Sequence, residues 1–208
     1  DQSAYTSVSD TGVSPSITYP ADELSYNTLQ YHTPELPFAT KGTFSWGNTK
    51  NDASSGNYDA AAGEDSITAY SLTTSPIEGL SAAASYYKVN DFDDGLTNEN
   101  QLEEGGAWGV TYAMGNFTAG YGKSYKAPES TNLTATTVEY YENRGVSIAM
   151  AVNDALSVSY TDETSEASAQ HSPTVTYDVD VKSVQAAYSL GGATLSLARS
   201  NFDNVNYA

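Results

Sequence analysis

The sequence predicts an all-β protein, an antiparallel sheet closed as a transmembrane barrel, and three observations predict it. The 208 residues are rich in strand-forming Tyr, Thr, Val and Ser, with 17 Tyr against 5 Phe, 2 Trp and 2 Met, and they lack the Ala/Leu/Glu/Lys stretches that build helices. Apolar residues recur at every second position in segments joined by turn residues. The connections alternate between short turns and longer, mostly acidic loops, as in a barrel whose loops crowd one rim.

Composition narrows the function classes. Lys and Arg number 8 against 26 Asp and Glu, for a formal net charge of -18. Phosphate recognition needs clustered basic residues, so nucleic acid is excluded as a partner. A chain with 39% hydrophobic and only 16% charged residues is not a disordered acidic tail. The absence of Cys removes disulfides, thiolate zinc sites and cysteine nucleophiles. No apolar run reaches the roughly 18 residues of a transmembrane helix, a test to which barrel strands are blind. The chain starts at Asp1 with no signal peptide, and reads as a processed or incomplete form.

Taken in order, the strands pair as hairpins. Leu29 and Tyr31 lead into a Thr33–Pro37 turn, after which Phe38, Phe44 and Trp46 share one parity. Segments 65–74 and 80–89 flank a turn at 75–79. Trp108, Val110, Tyr112 and Met114 precede Gly115-Asn116, followed by Phe117, Ala119 and Tyr121. Thr134 to Val152 keeps one parity throughout, with Val146, Ile148 and Met150 opposed to Ser147 and Ala149. After Asn153-Asp154 the alternation resumes as Leu156, Val158 and Tyr160 against Ser157 and Ser159. Val184, Ala186, Tyr188 and Leu190 precede Gly191-Gly192, then Leu195 and Leu197. This makes about ten strands. The longer loops fall at 48–64, 90–105, 126–133 and 163–173.

One face of each strand is bulky and apolar, the other Ser, Thr, Gly, Ala or Gln. A soluble sandwich turns its bulky face to a packed core; an apolar outside around a polar, watery inside is the transmembrane pattern. About four apolar positions per strand, at roughly 6.6 Å each, span about 25 Å, the height of a lipid-facing band. Phe38 and Phe117 beside short turns, and Trp46, Trp108 and Tyr125 beside long loops, fit aromatic girdles at the two interfaces; the competing explanation is that aromatics simply favour strands. The outward-parity charges Glu142, Arg144, Lys182 and Arg199 are expected near the long-loop ends, at an interface.

Several stretches resemble general bacterial porins, in the style of alphaproteobacteria: Leu29-Gln30-Tyr31-His32-Thr33-Pro34-Glu35-Leu36, Tyr140-Tyr141-Glu142-Asn143, Ala151-Val152-Asn153-Asp154, Leu156-Ser157-Val158-Ser159-Tyr160 and Tyr188-Ser189-Leu190-Gly191-Gly192-Ala193-Thr194. Their order over residues 24–200 carries the resemblance. It implies a 16-stranded barrel in the outer membrane of a Gram-negative bacterium, usually a homotrimer, in contact with lipid and lipopolysaccharide. Such a barrel passes small hydrophilic solutes and ions by passive diffusion. Residues 1–23 would be the tail of the constriction loop, 24–200 barrel strands (the sixth to fifteenth) and 201–208 the start of the last extracellular loop. Short turns would be periplasmic and acidic loops extracellular. The first five strands and a closing strand with terminal Phe are missing, so the sequence is expected to be incomplete; a self-contained ten-stranded barrel is the alternative.

In the porin reading Asp22 and Glu23 come from the constriction loop, and Lys41, Glu139 and Gln185 carry the lumen parity. An acidic loop facing a basic wall would set a transverse field; the alternative places Glu139 above the membrane and leaves Lys41 merely solvated. No cofactor, metal or catalytic residue is expected. Asp91-Phe92-Asp93-Asp94-Gly95 has Gly one position early for a calcium loop, though Glu99, Glu103 and Glu104 could add loose divalent binding. Gly122-Lys123-Ser124 has Phe117 where a phosphate loop needs Gly. His32 and His171 have no adjacent nucleophile. Two other classes remain: a surface-exposed β-rich adhesin or surface-layer protein, which has no reason to alternate short turns with long loops, and an enzyme on an outer-membrane barrel, which needs a clustered nucleophile and base.

Overall fold

The computed structural model describes residues 28–48, 66–90, 101–128, 130, 133–134, 137–169 and 172–204. They form ten strands: β1 (Thr28–His32), β2 (Lys41–Asn48), β3 (Ser66–Ile77), β4 (Leu80–Asn90), β5 (Glu104–Met114), β6 (Phe117–Ala127), β7 (Val138–Ala151), β8 (Leu156–Ala169), β9 (Ser172–Leu190) and β10 (Ala193–Asp203). All belong to one sheet in chain order, every neighbouring pair antiparallel. Asp22 and Glu23, and His171, lie outside the described residues.

Turn chemistry sets the hairpins. Gly115 (φ 61°) and Gly191 (φ 63°) supply the left-handed backbone of two of them, a conformation that costs side-chain-bearing residues. At the β7–β8 turn Asn153 Oδ1 accepts the amides of Ala155 and Leu156, both at 2.9 Å. Asn153→Ala is therefore expected to destabilise the sheet by about 1 kcal/mol, measured as a shift in urea midpoint.

The structure corrects five boundaries. β7 begins at Val138 rather than at Thr134. Phe38 does not open a strand. It sits in a 3-10 turn, Pro37–Ala39, at φ 65°, closed by paired backbone bonds between Leu36 and Thr40 of 2.9 and 3.3 Å; its parity with Phe44 is accidental. The turn expected at 75–79 contracts to Glu78-Gly79, because β3 runs on to Ile77 with a register shift between Thr74 and Ile77, which accommodates the missing amide of Pro76. The long loop expected at 163–173 is strand: β8 continues to Ala169 and β9 resumes at Ser172. Likewise β10 continues to Asp203, so 201–203 are strand rather than loop.

The faces of the sheet are inverted relative to a water-soluble protein. Among the largest fully buried side chains are Gln185, Asn143, Ser147, Ser165 and Ser183. Leu29, Leu72, Trp108, Met114, Ile148, Val184, Leu190, Leu195 and Leu197 are exposed. Period-2 geometry accounts for the separation: along β7, Asn143, Gly145 and Ser147 are buried, while Arg144, Val146 and Ile148 between them are exposed. We call the small-residue face inner and the apolar face outer. On the outer face Gly42 and Ala84 leave a groove of about 400 Å³ between the rings of Tyr31, Phe44, Tyr70 and Tyr86.

Candidate functional site

The inner face is a wall of short polar side chains. Register brings them into rows across strands. One row runs Gly120, Ser147, Thr161, Ser183, Ser200, and Ser200 Oγ donates to Ser183 Oγ at 3.1 Å. Another runs Ser124, Asn143, Ser165, with Asn143 Nδ2 donating to Ser124 Oγ at 3.1 Å. Between them lies a row of Gly109, Gly122 and Gly145 that ends on Glu163. Hydroxyls, amides and glycines present hydrogen-bonding groups without bulk, which suits a wall passed by hydrated solutes rather than one that grips a substrate.

Towards the long-loop rim the inner face changes character. Ile67, Tyr87 and Val89 form one apolar cluster, and Val179 and Val181 another. Beside the first, Glu103 accepts a hydrogen bond from Tyr87 Oη at 2.7 Å and pairs with Lys126 Nζ at 2.6 Å. The Tyr87 ring lies over Gly105, where an added Cβ would stand 2.7 Å from a ring carbon. On the opposite face Tyr86 Oη donates to Glu104 Oε2 at 2.8 Å. Two consecutive tyrosines of β4 thus reach two consecutive glutamates, one pair on each side of the sheet. Gln101 extends the rim: its Nε2 donates to the carbonyls of Pro128 (2.6 Å) and Glu139 (2.9 Å), tying the segments before β5, after β6 and at the start of β7.

The sequence-derived wall residues are not brought together. Lys41 is the first residue of β2, on inner parity opposite Thr73, exposed, with Glu35 at 4.0 Å. Gln185 is inner and 1% exposed, between Ser159 and Ala198 on β9. Glu139 falls at a register shift between Val138 and Tyr140 and is exposed at the rim. Of the aromatic set, Trp46, Trp108 and Phe117 are exposed on the outer face; Tyr125, opposite Glu142 on that face, is half-buried, and Phe38 occupies the turn described above. Trp108 packs on Tyr121 with ring centroids 5.5 Å apart. Sequence reasoning missed Glu163, 2% exposed on the inner face; the signal was the unbroken parity of Thr161, Glu163, Ser165 and Ala167. Among the described residues no group of His, Asp and Glu is placed to hold a metal.

No family model matches the sequence, and no curated protein matches it either. Solved structures do match. A Rhodobacter porin superimposes with a TM-score of 0.63 at 16% identity, covering 97% of this chain and 66% of the other. The fold is therefore that of part of a porin β-barrel, and the chain spans slightly less than two thirds of that porin's length.

Proposed function

We propose that this chain belongs to an outer-membrane general diffusion porin of a Gram-negative bacterium, through whose water-filled lumen small hydrophilic solutes and ions pass without covalent chemistry. One observation carries the reading: the apolar side chains cover the exposed face while Ser, Asn, Gln and Gly fill the buried one. In water that arrangement forfeits the hydrophobic contribution of those side chains; in a bilayer it is the stable one. The porin-like fold supports it.

In this reading the short turns face the periplasm and the long connections the outside. Residues 1–23 belong to the constriction loop, bringing Asp22 and Glu23 to the pore. Lys41 and Gln185 line the wall, and Glu139 stands at its outer mouth. The barrel assembles as a homotrimer in contact with lipid and lipopolysaccharide. With a net charge of -18 the pore has a mild preference for cations.

Full-length protein extracted from its native membrane is expected to give discrete conductance steps in a planar bilayer, with a reversal potential favouring cations. Lys41→Glu is expected to raise the cation-to-anion permeability ratio about twofold or more, since it reverses an inner-face charge. Anion preference would overturn the selectivity; protein that dissolves without detergent and gives no steps would return the chain to the adhesin reading.

A further inference from the structure

The inner face is not equally open around the sheet. β3 and β8 are each third from an end of the ten-stranded sheet. One inward row joins them: Ser71, Ser85, Ala107, Ser124, Asn143, Ser165. Ser71 on β3 is exposed, whereas Ser165 on β8 is 0% exposed. The next row repeats the contrast, with Thr73 on β3 exposed and Glu163 on β8 2% exposed. Fourth from each end, Ser81 on β4 is exposed while Asn143 and Ser147 on β7 are buried. Ser71 and Ser165 are the same residue at the same distance from a sheet edge. Neither side-chain size nor place in the sheet accounts for the difference between them.

A group that water cannot touch cannot exchange hydrogen bonds with a solute larger than water. Asn143, Ser147, Ser159, Glu163, Ser165 and Gln185 are all engaged within the chain, so their polar groups hold the wall together rather than serving its contents. The inward positions of β1–β4 differ. Gln30, His32, Lys41, Ser71, Thr73 and Ser81 are exposed. His32 Nδ1 lies 3.2 Å from Thr43 Oγ1, and the Ser75 and Ser81 hydroxyls are 3.3 Å apart. Hydroxyls both donate and accept, so one such contact leaves each of them further hydrogen-bonding capacity. Among the described residues no inward position of β1–β4 carries a carboxylate, and Lys41 is the one ammonium.

We propose that solutes cross along the inner face of β1–β4, over Gln30, His32, Lys41, Ser71, Thr73 and Ser81, and that this track takes small uncharged polyhydroxyl solutes. Its hydroxyls replace part of the water around theirs, while the mid-strand inner face of β7–β9 does not meet them. The proposal rests on the diffusion-pore reading above. The chain has no Cys, so an introduced thiol reports alone. Full-length protein carrying Ser71→Cys, Thr73→Cys or Ser81→Cys is expected to react, while conducting in a planar bilayer, with a methanethiosulfonate bearing a sulfonate. Each is expected to lose about a quarter or more of its step conductance. At Thr73, in register with Lys41, the sulfonate is also expected to move the reversal potential towards cations, and a trimethylammonium reagent to move it towards anions. Ser165→Cys, Ser183→Cys and Gln185→Cys are expected to conduct alike before and after either reagent. In vesicles, swelling in erythritol is expected to slow about twofold or more when Thr73→Cys is modified, and to stay unchanged for Gln185→Cys. Block at Ser183 or Gln185 equal to that at Thr73, or no block at Ser71, Thr73 and Ser81, would overturn the track while the pore stands. Current block with undiminished erythritol entry would overturn the solute class. Unaltered protein that gives no steps would overturn the pore reading, and the track with it.

Discussion

Ile148→Lys is expected to destabilise the inserted protein by about 2–4 kcal/mol, the cost of a lipid-facing cation near the bilayer midplane. Ile148 is 48% exposed on the outer face, between Ala119 and Tyr160 in register and flanked along β7 by Val146 and Met150. In a water-soluble protein the same change at a half-exposed site stays within about 0.5 kcal/mol. Urea unfolding in lipid vesicles separates the two: a loss of more than about 2 kcal/mol supports the membrane reading, and one below about 0.5 kcal/mol removes it.

Glu103→Ala is expected to cost about 2–3 kcal/mol. Removing the carboxylate strands the Lys126 ammonium in a partly buried site and leaves the Tyr87 hydroxyl without this acceptor. Tyr87→Phe removes one donor and keeps the ring over Gly105, so its cost is about 1 kcal/mol. The same vesicle titration measures both, and equal effects of the two variants would mean that the ion pair contributes nothing.

How much of this was legible depended on contrast between neighbouring residues. β7 was readable because Val146, Ile148 and Met150 alternate with Ser147 and Ala149, and its end because Asn153-Asp154 has the chemistry of a turn. The upper half of β8 was not, because outward Asp162, Thr164 and Glu166 alternate with inward Glu163 and Ser165. A period of two is invisible when both faces are polar, so the pattern predicts a loop there and passes over Glu163. Phe38 failed for the opposite reason: an apolar residue in a turn held by Leu36 and Thr40 happened to share the strand's parity. For the wall, the face of Lys41 and Gln185 followed from parity, whereas their separation onto β2 and β9 is a matter of sheet order. The shift that displaces Glu139 is a local backbone feature with no side-chain signature.

The twin contacts between Tyr86-Tyr87 and Glu103-Glu104 bear on how the sheet assembles. β4 and β5 are joined by a long connection, and a long connection, unlike a two-residue turn, does not dictate which residues end up opposite each other. A slip of one position would turn every side chain of the arriving strand through the sheet: one way it sets Glu104 under the Tyr87 ring, where only Gly105 leaves room, and the other way it carries both carboxylates out of reach of Tyr86. The motif therefore works as a vernier. It counts residues across a gap that the chain cannot measure, and only the correct alignment satisfies both sides of the sheet together.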